Sequence, residues 1–379
     1  MKSISRTVRS PLGRGAIVVL SMGAILALAG CSGGGSPSGD SSGSDSANKT
    51  WTSEAALVKA AKAEAKAGDG TVNIYMAPEY TPFAVPGFEK AYPWAKVNAT
   101  ELEPVPAVAK FSAEVSAGFS NSDVVFMHTS GVQTFKSAKA IAQVTVPNDS
   151  KVDPGLQDPN HYFHPVVELP EVILYNTSLV SKSDIPANVK DLSDPKYAGN
   201  LVMDTPQLGG PAGFVLASER SSLGDAGWKD WLQQIENGKP SLTGTSSDSY
   251  ASLLRGDKSY CICSYGDYIS QKPGTPVGLV AYGQGSGGNG VVVEPIVGVI
   301  SNTAPHPALA ALFVNWMLSA DGGQAGFVST SRVPVITGVP GSDAVSLPSG
   351  TKVFPLVSDL GAYITDPDTF NSVYKDIFK

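Results

Sequence analysis

The sequence predicts an α/β fold with a parallel, helix-covered sheet. Three short segments, residues 71–76, 95–102 and 123–127, show strand patterning and are separated by stretches with helical patterning. Strands that alternate with helices in this way are typical of parallel sheets, because the connecting helices cover the faces of the sheet. At 379 residues, the chain is also long enough for two packed domains.

The other elements follow from local patterns. A helix is expected over residues 54–67, which are mostly Ala, Lys and Glu, with Thr52 or Ser53 as its cap and Gly68 at its end. We also expect helices over residues 107–118 and 306–318, and strands over residues 166–175, 201–204 and 291–300. The chain shows no repeat period and no heptad pattern.

The first fifty residues predict export. Lys2, Arg6, Arg9 and Arg14 precede an apolar run at residues 15–30 that is too short for a comfortable membrane span. The run ends in Leu-Ala-Gly-Cys, which resembles the lipobox of bacterial lipoproteins. This resemblance implies a signal peptide at residues 1–30 and lipidation of Cys31. Residues 31–50 are rich in Ser and Gly and are expected to form a flexible linker on a lipid anchor at the outer face of the cell membrane.

Charge and motifs exclude several classes of function. Without its first 30 residues the chain keeps 23 of its 27 basic residues against 34 acidic ones, so binding of nucleic acid through a basic surface is not expected. H-E-x-x-H does not occur in the sequence, and G-x-S-x-G occurs at residues 30–34 and 39–43, within or beside the Ser- and Gly-rich stretch, where we expect no strand before it and no helix after it. We therefore expect a protein without enzymatic activity. A lipid-tethered enzyme is the alternative from another class of function.

Two cysteines, Cys261 and Cys263, share one face of an expected strand. On an ideal strand their Cβ atoms would be about 6.6 Å apart, whereas a disulfide needs about 3.8 Å. We therefore expect two buried thiols that pack as small apolar residues. A metal-binding Cys-x-Cys pair is the alternative.

Candidate ligand-binding residues follow the expected strands. Glu79 follows the first strand after the linker, and His128 follows the strand at residues 123–127. Tyr265 and Tyr268 lie where the strand containing Cys261 ends. Open α/β sheets hold ligands at the carboxyl ends of their strands. These four side chains are thus candidates for one binding site.

Several stretches together point to a family. They are LVKAAKAE at residues 57–64, FEKAYP at 88–93, FSAE at 111–114, YNT at 175–177, DLSDPKY at 191–197 and HP at 306–307. In this order and spacing they resemble the extracellular solute-binding proteins of ABC importers, specifically the branch that binds ferric iron. The resemblance covers roughly residues 54–336.

The resemblance implies a two-lobed periplasmic-binding-protein-like fold of type 2, with a hinge between the lobes. Lobe 1 would comprise residues 51–168 plus 295–379, and lobe 2 residues 169–294. The chain would capture a small solute between the lobes and deliver it to an ABC permease in the membrane. We expect a monomer with no resident cofactor.

The resemblance also implies a ligand set. In ferric members, residues after the first and third strands and tyrosines from the far lobe hold the metal. Glu79 and His128 occupy the first two positions, with their residue types exchanged, and Tyr265 and Tyr268 flank the position of the tyrosine pair. Phenolate and carboxylate oxygens suit ferric iron, and imidazole is a borderline addition.

An organic anion is the alternative solute. The turn at residues 205–210, which contains Gly209 and Gly210, precedes an expected helix, and helix N-termini attract anions. In ferric relatives the corresponding turn holds a synergistic anion. Here it could receive a phosphonate, a phosphate ester or a carboxylate as the main ligand, with Arg255 or Arg332 as a basic partner.

Overall fold

The structure is a computed structural model that describes residues 48–280, 290–351, 353–354, 363 and 366–379. The strands are β1 (Lys49–Thr50), β2 (Thr71–Met76), β3 (Lys96–Glu101), β4 (Val124–His128), β5 (Val144–Thr145), β6 (His164–Asn176), β7 (Leu201–Asp204), β8 (Ser241–Thr243), β9 (Tyr260–Ser264), β10 (Val277–Leu279), β11 (Val291–Ile300) and β12 (Val353–Phe354). The helices are α1 (Glu54–Ala67), α2 (Thr81–Ala91), α3 (Pro104–Ser116), α4 (Val132–Ser137), α5 (Pro211–Ser218), α6 (Arg220–Asn237), α7 (Ser246–Arg255), α8 (Tyr265–Ile269), α9 (Pro307–Met317), α10 (Gly323–Ser329) and α11 (Pro367–Ile377). The predicted signal peptide, Cys31 and residues 31–47 of the predicted linker lie outside the described residues.

One mixed sheet runs through the described part of the chain, in the order β3-β2-β4-β11-β6-β9-β7-β8. β10 lies beside β6, and β12 lies beside β11. At one end of the sheet β2 pairs in parallel with β3 and β4, and at the other end β7 pairs in parallel with β8 and β9. The α/β prediction is confirmed, and the parallel pairing occurs in two separate groups of strands.

The two groups are joined by β6 and β11, which run antiparallel to each other. Residues 296–300 of β11 pair with β4, whereas residues 171–175 of β6 pair with β9. Every residue of β11 is buried, including the charged Glu294. These two strands cross from one half of the sheet to the other, so they lie beneath any site that both halves share.

The predicted helix α1 has its expected bounds. Ser53 occupies the N-cap without a side-chain hydrogen bond, and Gly68 follows the last turn and donates its N–H to the carbonyl of Glu64. The Glu64 carboxylate in turn accepts hydrogen bonds from the N–H groups of Ala308 and Leu309, at the start of α9. An acidic side chain at a helix N-terminus is favourable, and here it ties α1 to α9.

The expectation of two free thiols was wrong. The structure joins Cys261 and Cys263 in a disulfide within β9, with their Cα atoms 5.6 Å apart and both side chains buried. This separation is shorter than the roughly 6.6 Å of an ideal strand and lies near the commonest Cα separation of disulfides, about 5.5–6 Å. The predicted shared face is what makes the bond possible.

The C-terminal helix α11 packs against α6. Trp228 of α6 contacts Phe370 and Tyr374 of α11, with ring centroids 5.3 and 5.8 Å apart. The sequence-based lobe bounds place residues 295–379 in lobe 1 and α6 in lobe 2, and they remain a prediction. In the part of the chain that the structure covers, no helix is long and apolar enough to cross a bilayer.

Glu168 on β6 gives the fold a pH-dependent term. Burial, with a smaller contribution from Asp153, raises its pKa to about 7. The folded state thus favours the neutral form of Glu168, and burial of the charged form costs stability. This cost is absent at low pH and grows as pH rises from about 4.5 to about 7. We expect Glu168→Gln to increase the free energy of unfolding at pH 8 by up to about 3 kcal/mol and to leave it almost unchanged at pH 4. Urea unfolding at both pH values measures this, and an equal effect at the two would contradict it.

Candidate functional site

The two halves of the sheet meet at one cleft of about 230 Å³. His128 at the end of β4 faces it from one half, and Gly209, between β7 and α5, faces it from the other. The structure thus brings two of the sequence-predicted residues into one cavity. Its lining comprises Pro104, Val105, Val108, His128, Ser130, Gly131, Thr134, Gln207, Leu208, Gly209, Tyr363, Pro367 and Asn371.

His128 is paired with a buried carboxylate from a crossing strand. Its Nδ1 lies 2.8 Å from Oε1 of Glu294, as an ion pair without the alignment of a hydrogen bond. The His128 side chain is 21% exposed, whereas that of Glu294 is fully buried. Oε2 of Glu294 has no hydrogen-bond partner among the described residues. A buried carboxylate with so few partners is costly, and a cation nearby would stabilise it.

The pKa values of His128 and Glu294 are both raised, which favours positive charge at this pair. Burial lowers the pKa of His128, but the Glu294 carboxylate, with Glu103 and Asp204 farther away, more than offsets this and leaves the pKa raised. Burial raises the pKa of Glu294, and His128 only partly opposes it. The free protein therefore retains a proton on this pair to higher pH than isolated side chains would. A metal ion could replace that proton.

A second buried carboxylate lies at the start of α5. Oδ1 of Asp204 accepts a hydrogen bond of 2.9 Å from the N–H of Ala212, in the first turn of the helix. A Cβ atom at Gly210 would collide with the same carboxylate, so Asp204 could keep this position only beside a residue without a side chain. Burial raises the pKa of Asp204 to about 6, although the hydrogen bond to Ala212 opposes this. The protein's own carboxylate thus occupies a helix N-terminus that could otherwise bind an anion.

Tyr363 adds a phenol to the cleft. Its side chain is 1% exposed, and its ring makes an edge contact with Phe214 of α5 at 4.9 Å. A Cβ atom at Gly213 would lie 2.7 Å from its hydroxyl oxygen, so the hydroxyl rests against the first turn of α5. Burial, followed by the charges of Glu294 and Asp204, raises the pKa of Tyr363. Its phenol is therefore neutral in the free protein.

The predicted tyrosines and Glu79 are placed differently. The hydroxyl of Tyr265 donates a 2.9 Å hydrogen bond to the carbonyl of Ser346, and the side chain is 4% exposed. Tyr268 stacks on Tyr265 with ring centroids 5.9 Å apart. Glu79 is exposed in the turn after β2. None of these three lines the cleft that contains His128 and Gly209.

The two arginines considered as basic partners also differ in position. Arg255 is at the surface, where its Nη2 pairs with Asp257 at 2.7 Å. Arg332 lies against α8, since a Cβ atom at Gly266 would be 3.0 Å from its Nη1. Its charge opposes the burial that raises the pKa of Asp267. Neither arginine lines the cleft.

Sequence reasoning missed Glu294, Asp204 and Tyr363. The first two left a local signal, because each is an acidic residue in an otherwise apolar strand, VVVEPIVGVI and LVMD. Tyr363 left none. Over the described residues, no group of three or more His, Cys, Asp or Glu side chains is arranged to hold a metal ion.

Comparison with known proteins gives the family. A family model described as "Bacterial extracellular solute-binding protein" matches residues 83–350. The chain belongs to this family. This solute-binding protein is also 26% identical over 167 residues to an uncharacterised protein of Haemophilus influenzae, and the match covers 43% of this chain and 46% of that relative.

Solved structures share the fold of this solute-binding protein. The ferric binding protein of Campylobacter jejuni matches with a TM-score of 0.69 and 17% identity, over 81% of this chain and 99% of that chain. Iron-bound HitA of Pseudomonas aeruginosa matches with a TM-score of 0.68 and 17% identity, over 82% and 99%. AfuA of Actinobacillus pleuropneumoniae, with bound fructose-6-phosphate, matches with a TM-score of 0.66 and 20% identity, over 82% and 99%. The fold is that of two-lobed periplasmic binding proteins of type 2, as expected.

Proposed function

We propose that this protein is the solute receptor of an ABC importer and that ferric iron is its solute. The protein captures the ion in the cleft between its two lobes and presents the closed, loaded form to a membrane permease. Family membership and the iron-binding proteins among the structural neighbours support the receptor role. The pairing of His128 with the buried Glu294 is the observation on which the choice of a cation rests.

The charge of the cleft favours a cation over an organic anion. A phosphonate, phosphate ester or carboxylate bound beside Gly209 and Gly210 would approach two buried carboxylates, Asp204 and Glu294. The amide of Ala212 at this helix N-terminus already donates to Asp204. A ferric ion would instead be attracted by both carboxylates, and carboxylate oxygens are ligands that hard cations prefer.

The roles of the individual residues follow from their positions. His128 has Nδ1 directed at Glu294, so its Nε2 is the atom left to bind a solute. The predicted ligands Glu79, Tyr265 and Tyr268 would join only when the lobes move, and for Tyr265 this means giving up the hydrogen bond to Ser346. Such movement is common in two-lobed receptors, in which the ligand contacts both lobes only in the closed form.

The proposal also covers the location of the protein, its oligomeric state and its lack of catalytic activity. We infer that cleavage before Cys31 and acylation of its sulfur anchor the mature protein to the outer face of the membrane. The tether comprises residues 31–47, because Lys49 and Thr50 pair with β5 and belong to the folded body. The protein acts as a monomer, binds no nucleic acid and has no catalytic activity.

Titration with ferric citrate tests the proposal. We expect the colourless protein to develop a visible phenolate-to-iron charge-transfer band and to bind one ferric ion per chain. Tyr265→Phe is expected to weaken that band, because the proposal places Tyr265 on the ion in the closed form. A wild-type protein that stays colourless and shows no change in melting temperature would refute iron as the solute.

A further inference from the structure

The C-terminal residues of the chain contribute to the cleft although they lie beyond the family match. The match ends at residue 350, whereas Tyr363, Pro367 and Asn371 all line the cleft beside His128 and Gly209. Nothing in the family match assigns these residues a role. Residues that line a cleft can contact a solute bound in it.

Tyr363 and helix α11, which together make up the C-terminal segment, are held firmly enough to form a wall of the cleft. The hydroxyl of Tyr374 donates a 2.8 Å hydrogen bond to the carbonyl of Gly213 in α5, and both groups are buried. The guanidinium of Arg220 lies 4.6 Å from the ring centroid of Phe370, which in turn packs on Trp228. Aromatic and cation–π contacts of this kind fix the position of α11 relative to α5 and α6.

Two side-chain oxygen atoms beside the cleft have no hydrogen-bond donor among the described residues. Oδ1 of Asn371 and Oε1 of Gln207, on the neighbouring turn, are buried and accept no hydrogen bond from any described residue. Buried polar atoms are normally paired, so such atoms in a cleft point to a ligand or to the water that it carries. Tyr363 lies in the same lining, with its hydroxyl near Gly213 and its charge environment set by Glu294 and Asp204.

We propose that this C-terminal segment completes the solute site, with Tyr363 as a direct ligand of the ferric ion and Asn371 as a hydrogen-bond acceptor for a water molecule bound to it. The inference rests on the proposed function. When the ion binds, the phenol releases its proton to solvent, and the resulting phenolate oxygen forms the bond to iron. Phenolate oxygen is a hard anionic donor of the kind that ferric iron prefers, and the ion lowers the pKa of the phenol that it binds.

The matched pair Tyr363→Phe and Tyr374→Phe tests the inference. Each removes one hydroxyl from a buried tyrosine of the C-terminal segment, but only Tyr363 lines the cleft. With ferric citrate as the probe, we expect Tyr363→Phe to weaken or shift the charge-transfer band and to weaken binding about 30-fold, the range of a charge-assisted contact. Tyr374→Phe should lower the melting temperature and leave both the band and the affinity unchanged. Asn371→Leu, in helix α11, should weaken binding about tenfold with the fold intact.

The possible results distinguish the role of the C-terminal segment from the proposed binding of ferric iron. A wild-type protein that binds iron while Tyr363→Phe and Asn371→Leu both bind as tightly, with the same spectrum, would overturn the role of the segment and leave the proposed function standing. If the wild-type protein bound no iron, both would be overturned. Should Tyr363→Phe fail to fold, Asn371→Leu decides the inference by its affinity.

Discussion

Replacing Glu294 by Gln should weaken the binding of ferric iron by at least about 100-fold, equivalent to about 2.7 kcal/mol. Glu294 is fully buried on a crossing strand and lies 2.8 Å from His128, so its charge acts where water screens it poorly. A trivalent cation beside His128 gains most from this carboxylate. Glutamine keeps the shape of the side chain and removes only the charge.

The same substitution should not weaken the fold. The pKa of Glu294 is raised by burial, which means that the folded protein disfavours its charged form. Glu294→Gln should therefore unfold at the same urea concentration as the wild-type protein or at a higher one. Glu89→Gln is the matched control, because Glu89 forms an exposed ion pair with Lys96 and lies away from the cleft. Equal affinities of Glu294→Gln and Glu89→Gln in a competition titration with citrate would contradict the proposed role of Glu294.

Removal of His128 should destabilise the protein as well as abolish binding. His128→Leu leaves the Glu294 carboxylate buried without its cationic partner, and breaking a buried ion pair from one side costs about 3–5 kcal/mol. The imidazole is 21% exposed, so a value at the lower end, about 3 kcal/mol, is expected. Urea unfolding at pH 7.5 measures this loss.

The double variant His128→Leu with Glu294→Gln separates charge from packing. If the cost of His128→Leu comes from the unpaired carboxylate, neutralising Glu294 should restore most of the lost stability. Strict additivity of the two substitutions would show that the pair is not coupled. We expect neither His128→Leu nor the double variant to bind ferric iron. The predicted pattern is therefore recovery of stability in the double variant without recovery of binding.

Much of the fold follows from local sequence patterns. The strands that became β2 and β4 and the helix α1 were predicted with nearly their observed bounds, because strong hydrophobic patterning coincides with clear breakers such as Gly68. The disulfide between Cys261 and Cys263 was not predicted. The prediction used the spacing of an ideal strand, and the contraction of β9 depends on its neighbours in the sheet.

The site was only partly predictable for a similar reason. His128 and Gly209 were predicted because strand ends and helix N-termini can be recognised locally, and both line the cleft. Tyr265 also follows a strand end, but the direction of its hydroxyl is set by Ser346, which is distant in sequence. Tyr363 enters the cleft through packing on Phe214, a contact that no pattern around residue 363 indicates.

The location of the ion tests the central claim most directly. In a crystal of the iron-loaded protein, anomalous scattering recorded at the iron absorption edge should give one strong peak in the cleft, bound by Nε2 of His128 and close to Tyr363. A peak elsewhere on the molecule, or an organic anion seated against Gly209 and Gly210 with no iron in the cleft, would contradict the account.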